Sequence, residues 1–253
     1  MSISAACPDP VSNPCVPPGV SVYAIGDIHG RLDLLDRLLD RIAADVARTR
    51  PRHLAVLFLG DIIDRGAESR GVVERLMAGP PPGPLAGAEW VCLKGNHEAV
   101  LLDFLVDVAA GPGWCACGGL DTVRSYLDAE PPAGWGTDMA AVRLLLLRHL
   151  PPRHRRFLAG LPLSHQIGDY LFVHAGVRPG IPLDDQHPAD LLWIRRDFLD
   201  DGRWHGKMVV HGHTSADEPQ VRSNRIGIDT RAYASGRLTA LVLEGAGRRF
   251  IET

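Results

Sequence analysis

The sequence predicts an α/β fold in which two β-sheets are flanked by helices. In the first half, short apolar runs alternate with segments that carry leucine and isoleucine at helical spacing, which is typical of a mostly parallel sheet with helices on its faces. In the last third, apolar runs follow one another across glycine-containing turns, which predicts a second, more antiparallel sheet. The 253 residues, 45% of them hydrophobic, suit one large domain.

The first sheet is expected to contain three strands, each followed by a helix. The strands are predicted at residues 20–26, 53–59 and 89–93, and the helices at residues 32–46, 69–77 and 98–108. In the first helix, Leu34, Leu35, Leu38, Leu39 and Ile42 share one apolar face.

Residues 110–162 are predicted to form a helical insertion over one edge of this sheet. Its helices are expected at residues 120–127 and 138–150, and Pro151 and Pro152 should end the second one, since proline interrupts helices. The remaining strands are predicted at residues 163–167, 170–174, 208–211, 225–229, 238–244 and 249–252.

The N-terminal segment and the composition of the chain predict a single-domain cytoplasmic protein. Residues 1–18 are rich in Pro, Ser and Cys and lack periodicity, which predicts a mobile leader before a single domain at residues 19–253. No apolar run approaches the roughly 18 residues of a membrane span, and no signal peptide is evident, so a cytoplasmic protein without a membrane partner is expected. The net charge of −3 does not favour nucleic-acid binding. Cys115 and Cys117 are interpreted as ordinary loop cysteines.

Polar side chains that can bind metals follow five of the predicted strands. In "VYAIGDIHG", Asp27 and His29 can aim at one point, because residues i and i+2 of an extended chain point to the same side. A helix-capping aspartate beside a solvent-facing histidine would explain this pair alone. The other strand ends carry Asp61, Asp64 and Arg65, then Asn96 and His97, then His174, and finally His211 and His213. Five such turns at one end of a sheet predict a metal site.

The number of these donors predicts two metal ions. Six side chains supply mixed nitrogen and oxygen donors: Asp27, His29, Asp61, Asn96, His174 and His213. One ion would not need so many, whereas two ions roughly 3.5–4 Å apart with a bridging carboxylate would. The set contains no thiolate, so Mn, Fe or Zn fit better than a structural zinc.

Five motifs in order, "GDIHG", "GDIIDRG", "GNHE", "HAG" and "GHT", resemble the signatures of the phosphoprotein phosphatase family within the calcineurin-like metallophosphoesterases. The run from "HAGVRPGIPL" to "DLLWIRRDF" is similar to bacterial serine/threonine protein phosphatases. The resemblance implies two mixed β-sheets in a sandwich flanked by helices. It also implies a dinuclear site and hydrolysis of phosphate esters by direct attack of a metal-bridging hydroxide. Of the three metals that suit the donor set, Mn is the preferred one, with Fe or Zn as alternatives.

Carried over position by position, the resemblance implies a role for each motif residue. Asp27, His29 and Asp61 would bind the first metal, and Asp61, Asn96, His174 and His213 the second, with Asp61 as the bridge. His97 would be the general acid and Asp64 its orienting partner, while Arg65 and Arg195 would bind phosphate.

The sequence departs from the family pattern at two positions. Three other residues could have either a structural or a functional role. Lys94 replaces an arginine that several relatives carry, which puts its phosphate role in doubt, and Arg231 stands where glycine is usual and is interpreted as a surface residue. His211 is interpreted as a structural histidine. Trp114 and Trp135 are interpreted as loop packing, with a nucleobase or peptide pocket as the alternative.

Three functions remain open at this point. The preferred one is a phosphatase acting on phosphoserine and phosphothreonine in proteins. The first alternative is a symmetrical dinucleoside polyphosphate hydrolase, which has the same signatures and needs a pocket for adenine. The other is a non-catalytic binding module, which the retention of every ligand position argues against. The partner is therefore a phosphoprotein or a small phosphorylated molecule, and the sequence does not predict the oligomeric state.

Overall fold

The computed structural model describes residues 11–131 and 133–253. The strands in this part of the chain are β1 (Val20–Ile25), β2 (His53–Phe58), β3 (Glu89–Cys92), β4 (Ser164–Ile167), β5 (Tyr170–Val173), β6 (Met208–His211), β7 (Gln220–Val221), β8 (Arg225–Gly227), β9 (Thr239–Glu244) and β10 (Gly247–Glu252). The α-helices are α1 (Leu32–Thr49), α2 (Ser69–Met77), α3 (Asn96–Val106), α4 (Gly111–Trp114), α5 (Leu120–Tyr126), α6 (Met139–His149), α7 (Pro152–Gly160), α8 (Pro188–Trp193), α9 (Arg196–Leu199) and α10 (Ala232–Ser235).

Two five-stranded mixed sheets form the centre of the fold. The first has the order β10-β9-β1-β2-β3, with β1, β2 and β3 parallel and β9 and β10 antiparallel to their neighbours. The second has the order β4-β5-β6-β8-β7, with β5, β6 and β8 parallel and an antiparallel strand at each edge. The predicted fold class, two mixed sheets flanked by helices, is confirmed.

The predicted second sheet forms from β4 to β8, but the expectation that it is more antiparallel than the first and includes the last two strands is wrong. β9 and β10 belong to the first sheet, where β9 pairs with β1 and Val22 lies opposite Leu243. The physical reason is burial. β1 is buried along almost its whole length, so its second edge needs a backbone partner, and β9 supplies it.

The two faces of the first sheet bury different clusters, as strand alternation requires. Val22 and Ala24 face the second sheet and pack with Tyr170 and Phe172. Their neighbours in β1 point the other way, into a larger cluster with α1, α2 and the helices that follow β3. The molecule is therefore a sandwich whose outer layers are helical.

Helices α4 to α7 lie within residues 110–162, called the helical insertion from here on, and pack on α2 and α3. A π-helical turn, Cys115–Gly119, joins α4 to α5. The prediction missed α7, because it treated Pro151 and Pro152 only as helix breakers. Pro152 is the first residue of α7, where a proline loses no intrahelical bond and its fixed φ suits the helix.

The predicted leader lies only partly within the described residues, because residues 1–10 are outside them. The Cys15 carbonyl accepts the Asp169 backbone N–H at 3.0 Å, in the turn between β4 and β5, and the Val16 N–H donates to the Gly245 carbonyl at 2.9 Å, between β9 and β10. Val16 is buried between the sheets. The segment thus joins a turn of one sheet to a turn of the other.

None of the helices in the described parts of the chain has the length and apolar character needed to cross a membrane.

Candidate active site

The six predicted metal ligands lie together at the carboxyl ends of strands from both sheets. Each one follows a strand or opens the helix after it, and each is no more than 7% exposed: Asp27, His29, Asp61, Asn96, His174 and His213. The first four follow β1, β2 and β3, and the two histidines follow β5 and β6. The parallel strands of both sheets therefore deliver their polar ends to one place.

The backbone at these strand ends is held in sparsely populated conformations. His29, Asp61, Asp64, Arg65 and His213 all have positive φ angles, between 47° and 71°. Such conformations cost free energy in non-glycine residues and persist where the surroundings fix them, which is common at functional sites.

One glycine at the site is required by close packing. A Cβ atom on Gly212 would lie 2.0 Å from Oδ1 of Asp27. The backbone after β6 can therefore reach the Asp27 carboxylate only because residue 212 has no side chain, and the His213 N–H donates to Asp27 Oδ2 at 3.1 Å.

Asp61 stands between two groups of donor atoms that could each hold an ion. Its carboxylate joins His29 and His97 in one group and His174 and His213 in the other, with the donor atoms of each group within 4.8 Å of one another. Asp27 is in neither group. The first group contains His97, whereas the resemblance implies Asp27 as the third ligand of that ion. A carboxylate shared by two groups has the placement that a bridging ligand needs.

Backbone carbonyls fix the tautomers of two histidines and leave a lone pair on the opposite ring nitrogen of each. His174 Nδ1 donates to the Leu59 carbonyl at 2.9 Å, so Nε2 of the neutral ring carries a lone pair, and that atom lies 2.8 Å from Asn96 Oδ1. His29 is arranged in the same way, because its Nδ1 donates to the Ile63 carbonyl at 2.9 Å. A backbone carbonyl that fixes the far ring nitrogen is the usual support of a histidine ligand.

Unpaired and mutually repelling groups show that these residues fit divalent cations. His213 Nε2 is buried and has no hydrogen-bond partner among the described residues. Burial and the nearby Asp229 and Asp61 carboxylates raise the pKa of Asp27 well above its usual value. For Asp61, the neighbouring histidines outweigh burial and hold the pKa below its usual range. Bound cations would satisfy the free lone pairs and offset the repulsion between the carboxylates.

The sequence reasoning missed Asp229. Its carboxylate is 5% exposed, and burial raises its pKa to about 6, with the Asp61 charge acting in the same direction. Asp229 follows β8, so the strand-end rule that identified the other donors would have identified this one as well.

It also missed the role of Glu98, which ties two ligand-bearing loops together. The buried carboxylate accepts backbone N–H groups from Gly95 at 2.8 Å and from Asp61 and Ile62 at 2.9 Å. Burial raises its pKa to about 7, and the Asp61 charge acts in the same direction. Its position in the first turn of α3 is the available sequence signal, since glutamate there is typical of a capping box.

His97 and Asp64 form a buried hydrogen-bonded pair beside the metal-ligand cluster. His97 Nδ1 donates to Asp64 Oδ2 at 2.6 Å, and Asp64 is fully buried. Burial opposes charge on the ring, but the Asp61 and Asp64 carboxylates outweigh it and raise the pKa of His97 to about 9. Since Nδ1 points at Asp64, Nε2 is the atom left to exchange a proton with a substrate.

Two arginines lie beside the His97–Asp64 pair and the candidate metal ligands. Arg65 places Nη1 at 2.9 Å from His29 Nε2 and Nη2 at 3.2 Å from His97 Nε2, and its guanidinium lies over the Tyr233 ring. Arg195 Nη1 lies 3.5 Å from the Thr214 hydroxyl, next to His213.

Three other residues singled out in the sequence have partners of their own. The Lys94 ammonium donates to the Ala159 carbonyl on α7 at 3.0 Å. Arg231 adopts a left-handed conformation, φ 56°, where the family pattern has glycine, and its guanidinium pairs with Asp217. His211 Nδ1 lies 3.0 Å from the Gly212 carbonyl and belongs to neither donor group.

An apolar cavity of about 310 Å³ opens beside His97. Its walls include Val100 of α3, Trp114 and Cys117 of the insertion, and Trp193 of α8. Trp114 is almost fully buried, whereas Trp193 is 47% exposed and sets its ring edge-to-face against His213. Trp135 is not among the residues that line the cavity.

Comparison with known proteins identifies a matching family and several relatives of this chain. A family model described as calcineurin-like phosphoesterase matches residues 20–234. A symmetrical bis(5'-nucleosyl)-tetraphosphatase of Dechloromonas aromatica (strain RCB) is 33% identical over 160 residues, 63% of this chain and 45% of that relative. This chain therefore spans less than half the length of that relative.

Two further relatives match along most of both chains. An asymmetrical bis(5'-nucleosyl)-tetraphosphatase of Bacillus thuringiensis (strain Al Hakam) is 27% identical over 241 residues, 86% of this chain and 88% of the relative. The serine/threonine-protein phosphatase 2 of Escherichia coli (strain K12) is 28% identical over 227 residues, 86% of this chain and 90% of the relative.

Proposed function

Because the chain belongs to the calcineurin-like phosphoesterase family and is a metal-dependent phosphoric ester hydrolase, we propose that it hydrolyses phosphate monoesters, with phosphoserine and phosphothreonine of proteins as its substrates. The proposal includes the six strand-end ligands, two divalent ions with Mn preferred, and four further residues: His97, Asp64, Arg65 and Arg195.

The observation that carries this proposal is the His97–Asp64 pair. The two side chains are bonded at 2.6 Å, and His97 also lies in contact with a guanidinium and within the donor group that contains Asp61. Phosphate ester hydrolysis requires a proton donor, a guanidinium that binds phosphate and a site for metal ions, all close together.

Each residue has a definite task in this scheme. When bound, the two ions lower the pKa of water and stabilise the charge that develops on phosphate. The guanidiniums of Arg65 and Arg195 hold phosphate oxygens. His97 Nε2 gives its proton to the oxygen of the leaving alcohol, while the Nδ1 proton stays on the hydrogen bond to Asp64.

Apart from the charge of the two ions, the arginines at the site favour one phosphate group over a polyphosphate chain. Arg65 and Arg195 match the charge of one phosphate monoester. The neighbouring cations have other partners, since Arg231 pairs with Asp217 and Lys94 donates to a backbone carbonyl. A dinucleoside tetraphosphate carries about four negative charges and would be expected to draw on further cations.

Hydrolysis of dinucleoside polyphosphates remains the second candidate. Two of the relatives are bis(5'-nucleosyl)-tetraphosphatases, one symmetrical and one asymmetrical. The cavity beside His97, with the exposed indole of Trp193 at its wall, has room for a planar base.

Parallel assays on both substrates test the proposal. The chain would be loaded with Mn²⁺ and given a phosphothreonine peptide and diadenosine tetraphosphate separately, with released phosphate and nucleotide products resolved. We expect a higher kcat/KM for the peptide. Trp193→Ala provides a further comparison, because the dinucleotide candidate predicts that it mainly raises KM for the dinucleotide.

A higher kcat/KM for diadenosine tetraphosphate would overturn the phosphoprotein assignment. Failure to hydrolyse either substrate or a simple aryl phosphate, with metals bound, would instead support the non-catalytic alternative.

A further inference from the structure

The Asp64 carboxylate receives hydrogen bonds from outside its own loop. Its partners besides His97 are Trp114 and Thr122, both from the segment between α3 and α6. Trp114 Nε1 donates to Oδ2 at 2.8 Å, and the Thr122 hydroxyl donates to Oδ1 at 2.5 Å. Each carboxylate oxygen therefore has a donor from the helical insertion.

Thr122 also fixes the backbone at this point. Its hydroxyl oxygen accepts the Asp64 N–H at 2.9 Å, and the Ser69 hydroxyl accepts the same N–H at 3.0 Å. Asp64 has φ of 71°, an uncommon conformation for this residue type, so such external support is needed to hold it there.

Gly118 lets the insertion approach the Asp64 loop closely, and Gly119 makes room for the Trp114 indole. A Cβ on Gly119 would lie 2.4 Å from Cδ2 of the Trp114 indole, and a Cβ on Gly118 would lie 2.6 Å from the Arg65 backbone nitrogen. Gly118 also accepts the Arg65 N–H at 3.3 Å. The π-helical turn that contains both glycines is thus seated directly on the loop that carries Asp64 and Arg65.

Trp114 is itself held firmly in place. Its side chain is 2% exposed, and its ring packs against Phe104 of α3 with centroids 5.2 Å apart. A buried indole N–H needs an acceptor, and the indole is oriented so that the acceptor is the carboxylate that holds His97.

We propose that the helical insertion completes the proton-donating pair, because Trp114 and Thr122 hold the Asp64 carboxylate in the orientation that keeps His97 Nε2 aimed at the leaving group. This inference rests on the proposed function. Trp114 and Thr122 touch neither substrate nor metal in this scheme and are positioning residues, which act through Asp64 on His97.

The test compares two aryl phosphates that differ in their need for a proton donor. Phenyl phosphate has a poor leaving group and p-nitrophenyl phosphate a good one. Trp114→Phe keeps the ring and removes the N–H, so we expect kcat to fall roughly tenfold on phenyl phosphate and less than about threefold on p-nitrophenyl phosphate, with KM unchanged. Thr122→Val should act similarly, and Thr122→Ser should restore the wild-type ratio.

A double variant and a matched control separate positioning from general damage. In a His97→Ala background, Trp114→Phe should change the ratio of the two rates no further, since the proton donor is already gone. Trp90→Phe removes an indole N–H that donates to the Leu76 carbonyl at 3.0 Å, far along β3 from the site, and should leave the ratio unchanged.

Equal losses on both substrates, or the same extra loss in the His97→Ala background, would overturn the inference. If Trp114→Phe fails to fold, as seen by circular dichroism, the Thr122→Val and Thr122→Ser pair decides the question in the same assays. Absence of metal-dependent hydrolysis in the wild type would refute the proposed function instead, and the two failures are therefore distinguishable.

Discussion

His97 and Asn96 are adjacent in the sequence, but their side chains point to different parts of the site. Its backbone N–H donates to Asp61 Oδ1 at 3.0 Å, and its ring is held by Asp64. The adjacent Asn96 turns its side chain toward His174 and His213 instead. In the proposed mechanism, these neighbouring residues at the start of α3 therefore have different roles.

We expect His97→Ala to keep the bound metals and to lose turnover according to the leaving group. The loss should be about 100-fold or more on a phosphothreonine peptide or phenyl phosphate, because the leaving alkoxide needs a proton, and much smaller on p-nitrophenyl phosphate. Steady-state kinetics and metal analysis would be carried out on the same preparation. Equal losses on all substrates would remove His97 from this role.

Replacing the carboxylate shared by both donor groups should lower metal content. Asp61→Asn leaves the side-chain size unchanged but removes the charge, so we expect fewer than the roughly two metals per chain of the wild type. Asp217→Asn is the matched control, because that carboxylate is 85% exposed and pairs with Arg231 outside both groups. Unchanged occupancy in Asp61→Asn, by elemental analysis, would contradict a bridging role.

At the residue scale, the sequence identified the candidate metal ligands, which the structure places together, but not the residues that support them. A polar residue after an apolar strand is visible in a sequence, and that rule applied to β8 would also have identified Asp229. The bond from Trp114 to Asp64 joins residues 50 positions apart, and no local pattern indicates it. Trp114 was interpreted as loop packing, and the structure shows that its N–H has a specific acceptor.

At the element scale, the helices of the insertion are held to one another through buried polar contacts as well as apolar ones. On α7, His154 is fully buried, and its Nδ1 lies 3.0 Å from the Tyr126 hydroxyl of α5. Its Nε2 has no hydrogen-bond partner among the described residues. Burial lowers the pKa of His154 and outweighs the opposing charge of Glu74.

This histidine should make folding stability depend on pH. The unfolded chain binds a proton near the ordinary histidine pKa of about 6.5, whereas the folded protein binds it only at lower pH, so stability falls as pH decreases below about 6.5. We expect the free energy of unfolding, from urea denaturation, to fall less between pH 8 and pH 5 in His154→Gln than in the wild type. The exposed His53→Gln is the control, and an equal fall in wild type and His154→Gln would contradict this prediction.

Most of the elements were predicted from periodicity, but their partners were not. The positions of β1, β2, β3 and of the long helices follow from apolar spacing along the chain. Whether β9 joins the first or the second sheet depends on which strand edge lacks a partner, and that is a property of the assembled fold. The short helices α8 and α9 were missed, because six or four residues are too few for a helical period to be recognised.

At the scale of the whole molecule, the ligand cluster joins the two sheets. Asp27 and Asp61 follow strands of the first sheet, and His174 and His213 follow strands of the second. Bound ions would therefore hold together the two halves of the sandwich at the end where buried carboxylates otherwise repel one another.

Removal of metal should lower the thermal stability of the whole domain. At a free metal concentration of about 100 times Kd, binding adds roughly 2.7 kcal/mol to the free energy of unfolding, which corresponds to about 5 °C or more in Tm for a chain of this size. We expect chelation to lower Tm and Mn²⁺ to restore it, as measured by scanning calorimetry. The same treatment of Asp61→Asn should have a smaller effect, and an unchanged Tm in the wild type would argue against a site shared by both sheets.

In the proposed mechanism, two divalent ions bound by the strand-end residues support phosphate ester hydrolysis. The most direct measurement is a titration of the metal-free chain with Mn²⁺, with phosphate release from a phosphothreonine peptide followed at each step. We expect no turnover without metal and a rise in rate that ends near two equivalents per chain. Full activity in the chelated protein, or saturation at one equivalent, would contradict it.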